Sequence, residues 1–162
     1  MKGRGHWLLH LPRVTWAGIC LLCFVFVACG CATKKVRIPE PLSETRAGVV
    51  RSALDLLGKP YKNGGRGPDV FDCSGLVYYT YKKSGLTLPV TAEEQGRGGA
   101  EVQREATLPG DLVIFKIKRD FHVGILLNDR EFIHASKSRG VAIDDLAMPY
   151  WVKALHGFRS VL

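Results

Sequence analysis

Three side chains in this sequence have the types and spacing of a nucleophile, a base and a group that orients the base. Cys73 stands in Phe71-Asp72-Cys73-Ser74-Gly75-Leu76-Val77, His122 in Phe121-His122-Val123-Gly124-Ile125, and His134 in Phe132-Ile133-His134-Ala135-Ser136. A thiol served by an imidazole is equipment for attack on a carbonyl carbon. Cys73 is expected to open a helix, where the positive end of the backbone dipole favours thiolate over thiol. His122 is the expected general base, returning the thiol proton to a leaving amine. His134 would hold the other nitrogen of that imidazole and fix its tautomer.

Weaker candidates surround these three. Tyr61 could aim its hydroxyl at an oxyanion beside the Cys73 amide, or simply form a cleft wall. Asp72 and Ser74 flank the nucleophile and could bind a substrate amine or amide, although Asp72 is equally suited to capping the helix. One cysteine and two histidines without a C-x-x-C or H-x-x-x-H pair make a poor zinc site, so no metal is expected. His156 has no comparable context and is expected on the surface.

The elements that must position these residues follow from periodicity. Apolar residues at helical spacing predict a helix over 43–57, stopped by Gly58 and Pro60. A glycine-rich loop, 61–68, precedes a second helix over 73–83, and Thr91-Ala92-Glu93-Glu94 is a capping box for a short third. After Pro109-Gly110 the period shortens, and 112–117, 121–127, 131–135, 141–143 and 155–161 read as about five strands. Helices first and an antiparallel sheet afterwards indicate an α+β fold. The hairpin carries a geometric condition. His122 and His134 share a face only if an odd number of residues connects their strands; a loop at 127–129 pairs them directly and one at 128–130 makes them diagonal neighbours.

The N-terminus reads as an export signal. Basic residues Lys2, Arg4 and Arg13 precede an apolar run, 14–28, that falls short of the roughly 20 residues a membrane span needs. The run ends in Val27-Ala28-Cys29-Gly30-Cys31-Ala32-Thr33, which resembles a bacterial lipobox. Residues 1–30 would be cleaved and Cys31 (or Cys29) lipidated, 31–42 would form a tether reaching about 35 Å at most from residue 33, and 43–162 would be the folded domain. With no Asp after the lipidated cysteine, outer-membrane sorting to the inner leaflet, facing the periplasm, is expected in a Gram-negative cell. Removing the leader takes the net charge from +8 to +5. A mildly basic domain suits an anionic wall or membrane surface, whereas scattered charges without a basic helix argue against nucleic acid. With lipid on Cys31 the mature domain keeps one thiol, Cys73, where an exported protein normally uses cysteines in pairs.

Asp72-Cys73-Ser74-Gly75-Leu76-Val77, Leu108-Pro109-Gly110-Asp111-Leu112-Val113, His122-Val123-Gly124-Ile125 and Phe132-Ile133-His134-Ala135-Ser136 together resemble the successive motifs of NlpC-family cell-wall cysteine peptidases. The stretch from Gly140 to Trp151 brings the chain near the murein endopeptidase lipoproteins of that family. The resemblance implies a papain-like α+β fold and hydrolysis of amide bonds in peptidoglycan stem peptides, without a cofactor. It makes Cys73 the nucleophile, His122 the base and His134 the third residue, with Tyr61 at the oxyanion and Asp72 and Ser74 against substrate. The bond implied is the D-Ala-to-diaminopimelate cross-link, with the γ-D-glutamyl-diamino acid bond within one stem as the alternative. An envelope scaffold that kept the fold without activity is the reading of another class. A regulatory protease or adaptor is not legible in the sequence. Val90, where the family often carries a basic residue, is a departure at the cleft edge.

Overall fold

A computed structural model describes residues 36–39 and 42–162, so the leader and the candidate lipidation sites Cys29 and Cys31 lie outside the described residues. Four helices, α1 (Glu44–Leu54), α2 (Cys73–Lys83), α3 (Ala92–Arg97) and α4 (Pro149–Ala154), accompany six strands. These are β1 (Ala100–Val102), β2 (Leu112–Ile117), β3 (Asp120–Leu126), β4 (Glu131–Ser136), β5 (Gly140–Asp145) and β6 (Leu155–Ser160). They form one antiparallel sheet in the order β1-β6-β2-β3-β4-β5. The α+β expectation holds, with one strand more than the five read from periodicity. β1 is three largely exposed residues with no alternating pattern to betray it.

Side chains alternate across the sheet and divide the core in two. Leu112, Ile114, Val123, Ile125, Ile133 and Ala135 pack beneath α1 and α2, together with Val50, Leu76 and Val77. Val113, Phe115, Leu126, Phe132 and Phe158 point to the other face, where α4 presses Trp151 onto them. Helix α1 ends at Leu54 and not at 57, continuing only as a turn that leads to Gly58 in the left-handed region. Arg46 staples this helix to the sheet: its Nη1 donates to Asp111 Oδ1 (2.9 Å) and the Pro109 carbonyl (3.0 Å), and its Nη2 to Ser160 Oγ (3.1 Å). Asp111 in turn accepts the Leu108 amide at 2.8 Å, and the Tyr81 hydroxyl donates to the Gly110 carbonyl. The Leu108-Pro109-Gly110-Asp111 motif is therefore a brace between α1, α2 and the start of β2. Ahead of α1, Val36 and Ile38 lie half-buried against the core and the Arg37 carbonyl accepts the Asn128 side-chain amide at 2.9 Å.

The β3–β4 hairpin meets the geometric condition set by the sequence. Ile125 pairs with Ile133 and Leu126 with Phe132, the register of the 128–130 connection, which makes His122 and His134 diagonal neighbours on one face.

Candidate active site

Helix α2 begins where the sequence placed it, and the reason is Asp72. Its Oδ1 accepts the Gly75 amide at 2.7 Å, a good N-cap bond, and the Ser74 hydroxyl at 3.1 Å, while its Oδ2 accepts the Gly64 amide at 2.8 Å. One carboxylate thus ties the glycine-rich loop to the first turn of α2. Gly75 makes that contact possible, since a Cβ there would overlap the Gly65 carbonyl oxygen. Gln95, on α3, buttresses the same turn by donating to the Ser74 carbonyl at 3.1 Å and the Pro89 carbonyl at 2.7 Å.

Cys73, the free cysteine among the described residues, faces β3 at the point where the β3–β4 pairing has ended. The backbone amides of Val123, Ser74 and Cys73 itself address its sulfur. Cys73, His122, His134, Tyr61, Asp72 and Ser74 all line one cleft of about 810 Å3. Every described site residue named from sequence is gathered there, whereas His156 lies outside, edge-on to Phe121 on an exposed stretch.

The imidazoles form a chain. His122 Nε2 lies 2.9 Å from His134 Nδ1, and His134 Nε2 lies 3.0 Å from Asp144 Oδ2. Asp144 also accepts Trp151 Nε1–H at 3.0 Å and the Arg139 Nη2 group on both oxygens, at 2.8 and 2.9 Å. Trp151 stacks on the His122 ring, centroids 5.5 Å apart and planes within 21°. Asp144, Arg139 and Trp151 were not singled out as site residues in the sequence. Strand parity contains the signal for Asp144: His134 pairs with Ala142, so Asp144, two residues on, shares its face.

Charge states follow from these contacts. Burial would push the Asp144 carboxyl up, but the Arg139, His134 and Trp151 donors outweigh it and hold the group below the ordinary carboxylate range. Asp144 is therefore ionised and can only accept, so His134 donates from Nε2. Burial, the strongest influence, lowers the His134 imidazole, against the pull of Asp144. Burial, reinforced by His134 and Lys137, takes His122 down to about 3. Both rings are neutral near pH 7. His134 Nδ1 must then accept, His122 Nε2 must donate, and His122 Nδ1 is left with its lone pair free to take a proton.

The expected thiolate is corrected. Burial and the nearby Asp72 charge push the Cys73 thiol up, and the amides of Val123, Ser74 and Cys73 offset only part of that. The helix N-terminus acts in the expected direction but is outweighed by desolvation. Tyr61, raised by burial and by the proximity of Cys73 and Asp72, stays a neutral phenol able to donate. The resting arrangement is a thiol beside a neutral imidazole, suited to proton transfer during attack.

A model of the NlpC/P60 family matches residues 58–160, and the chain belongs to that family. It is 36% identical over 121 residues to the Escherichia coli protein named murein DD-endopeptidase MepS/murein LD-carboxypeptidase, covering 74% of this chain and 64% of that relative. The match therefore takes in just under two thirds of that relative's length. Over 118 residues the chain is 37% identical to the bifunctional muramidase/DL-endopeptidase CwlT of Bacillus subtilis, covering 70% of this chain and 36% of the other. A solved NlpC/P60 family protein from Bacillus cereus superposes with a TM-score of 0.69 at 30% identity, over 78% of this chain and 42% of that one.

Proposed function

We propose that this chain is a cysteine peptidase that hydrolyses an amide bond in peptidoglycan stem peptides, at the D-Ala-to-diaminopimelate cross-link. The observation that carries the reading is the unbroken chain from His122 through His134 to Asp144, beside a thiol in the same cleft. The name of the E. coli relative supports the cross-link, and that of CwlT supports the alternative, a bond within one stem.

In this reading Cys73 Sγ attacks the carbonyl carbon while its proton passes to His122 Nδ1. The Tyr61 hydroxyl and the Cys73 amide receive the developing oxyanion. The C–N bond breaks, His122 returns the proton to the leaving amine, and a thioester remains. Water then attacks, giving its proton to His122, and the carboxylic acid departs as the thiol reforms. Stabilising the transient imidazolium falls to His134 and the ionised Asp144 behind it. Asp72 shapes the first turn of α2, and Ser74, whose hydroxyl it accepts, meets the substrate next to the nucleophile.

The setting proposed is the bacterial envelope. The lipobox-like sequence around Cys29 and Cys31 supports a lipid anchor in the outer membrane, and among the described residues no helix is long and apolar enough to cross a membrane.

The test uses diaminopimelate-type sacculi, with products read by mass spectrometry and Cys73→Ala as control. Loss of cross-linked dimers to intact monomer stems is expected. Stems shortened to L-Ala-D-Glu would move the assignment to the γ-D-glutamyl bond, and no Cys73-dependent product would leave the inactive scaffold.

A further inference from the structure

The cleft is electrically lopsided about Cys73. Asp72 and Glu93 border it on the α2–α3 side, while Lys137 and Arg139, on the β4–β5 turn, border it on the other. The acids are committed: Asp72 to the capping bonds described, Glu93 to Arg97 at 2.6 Å. The bases are less so. Lys137 has no ion pair or hydrogen bond among the described residues, and its side chain is exposed. Arg139 spends Nη2 on Asp144 and keeps Nε and Nη1 uncommitted among the described residues. The carboxylate on that wall, Asp144, is already saturated by His134, Trp151 and Arg139. Arg119 and Asp120, on the third wall, are neighbours of opposite sign.

Chemistry gives the two sides different roles. His122 must hand its proton to the departing nitrogen, so the amine half of the substrate lies over His122. Arg139 of that turn holds Asp144, which holds His134 and through it His122, whereas Asp72 caps the helical turn that Cys73 opens. The β4–β5 turn thus borders the amine half, and the Tyr61–Asp72 wall the acyl half.

We infer that Lys137 and Arg139 form a subsite for a free carboxylate on the amine-side residue of the scissile bond, so that the cleft selects a carboxylate-bearing diamino acid over lysine. In a diaminopimelate cross-link the carbon that bears the departing nitrogen also bears a carboxylate; the corresponding carbon of lysine bears none. Two cations on one exposed turn are suited to a carboxylate, and the other free carboxylates of the stem are the same in the diaminopimelate and lysine forms. The inference rests on the hydrolase reading and on the cross-link as the bond cut, because within one stem the carbon that bears the departing nitrogen carries a carbonyl group in lysine just as in diaminopimelate.

Matched synthetic muropeptides test it: cross-linked dimers and single stems, each with meso-diaminopimelate or lysine on the amine side, with kcat/KM read by mass spectrometry. The protein is expected to prefer diaminopimelate roughly tenfold at low salt, less at high ionic strength, as for an exposed charge pair. Lys137→Ala should bring that ratio toward one, and Lys137→Arg should restore it. Equal kcat/KM on the two substrates, or a ratio untouched by Lys137→Ala, overturns the subsite alone. Cleavage within the stem instead of at the cross-link overturns the bond proposed above and, with it, the subsite as placed here. No turnover of any substrate beyond the Cys73→Ala control overturns the hydrolase reading, and the subsite with it.

Discussion

Asp144 receives an indole N–H, a guanidinium and an imidazole N–H at once, and all three donors lie within 3.0 Å of it. It reaches His122 through His134, and also through Trp151, which it holds against that ring. Asp144→Asn keeps the shape but offers an N–H where an acceptor is required, which unsettles the His134 tautomer and then that of His122. We expect kcat to fall about 10- to 100-fold, the usual cost of such an outer partner, with KM nearly unchanged. Unaltered kcat would show that the tautomer is set elsewhere. His134→Ala should harm turnover less than His122→Ala, since orienting a base matters less than being one; the reverse order would exchange their roles. The raised thiol makes a separate prediction. Alkylation of Cys73 by iodoacetamide should be slow at neutral pH and keep climbing through the alkaline range, whereas a rate already level below pH 7 would reveal a resting thiolate.

Elements explain why some of this was legible in the sequence and some was not. Cys73 and the two histidines were visible because a cap, a glycine-rich loop and strand parity are local properties. The hairpin condition needed only the count of residues between the strands, and the observed register satisfied it. Trp151 and Arg139 were opaque because they reach Asp144 from a helix and a turn that the sheet alone brings together. The Cys73 proton affinity was misjudged for a related reason: the helix end is written in the sequence, whereas desolvation depends on every wall of the cleft. The brace at Asp111 and the first turn of α2 carry predictions at this scale. Asp111→Ala strands the mostly buried Arg46 guanidinium and should cost about 3–5 kcal/mol, read from urea unfolding. Gly75→Ala forces the glycine-rich loop off α2 and should cost about 3 kcal/mol. A near-neutral result for either would mean that the contact relaxes.

For the molecule as a whole, the buried imidazoles link stability to acidity. His122 titrates near 6.5 when unfolded and near 3 when folded. Between those values the unfolded chain binds a proton that the folded one refuses, so stability declines as pH falls through that window. The urea midpoint should drop from pH 6.5 downward, and His122→Asn should flatten the slope; an unchanged slope would exonerate the imidazole. The same burial has a second effect, on durability. Thiolates attack peroxides and stray disulfides, and the first rung of cysteine oxidation, the sulfenic acid, starts from that ion. In the envelope setting proposed above, Cys73, the free cysteine among the described residues, is open to that chemistry for the protein's whole lifetime. By keeping Cys73 protonated until a substrate carbonyl arrives, the cleft spares the sulfur between turnovers, so the desolvation that makes the nucleophile slow to ionise also keeps it from rusting.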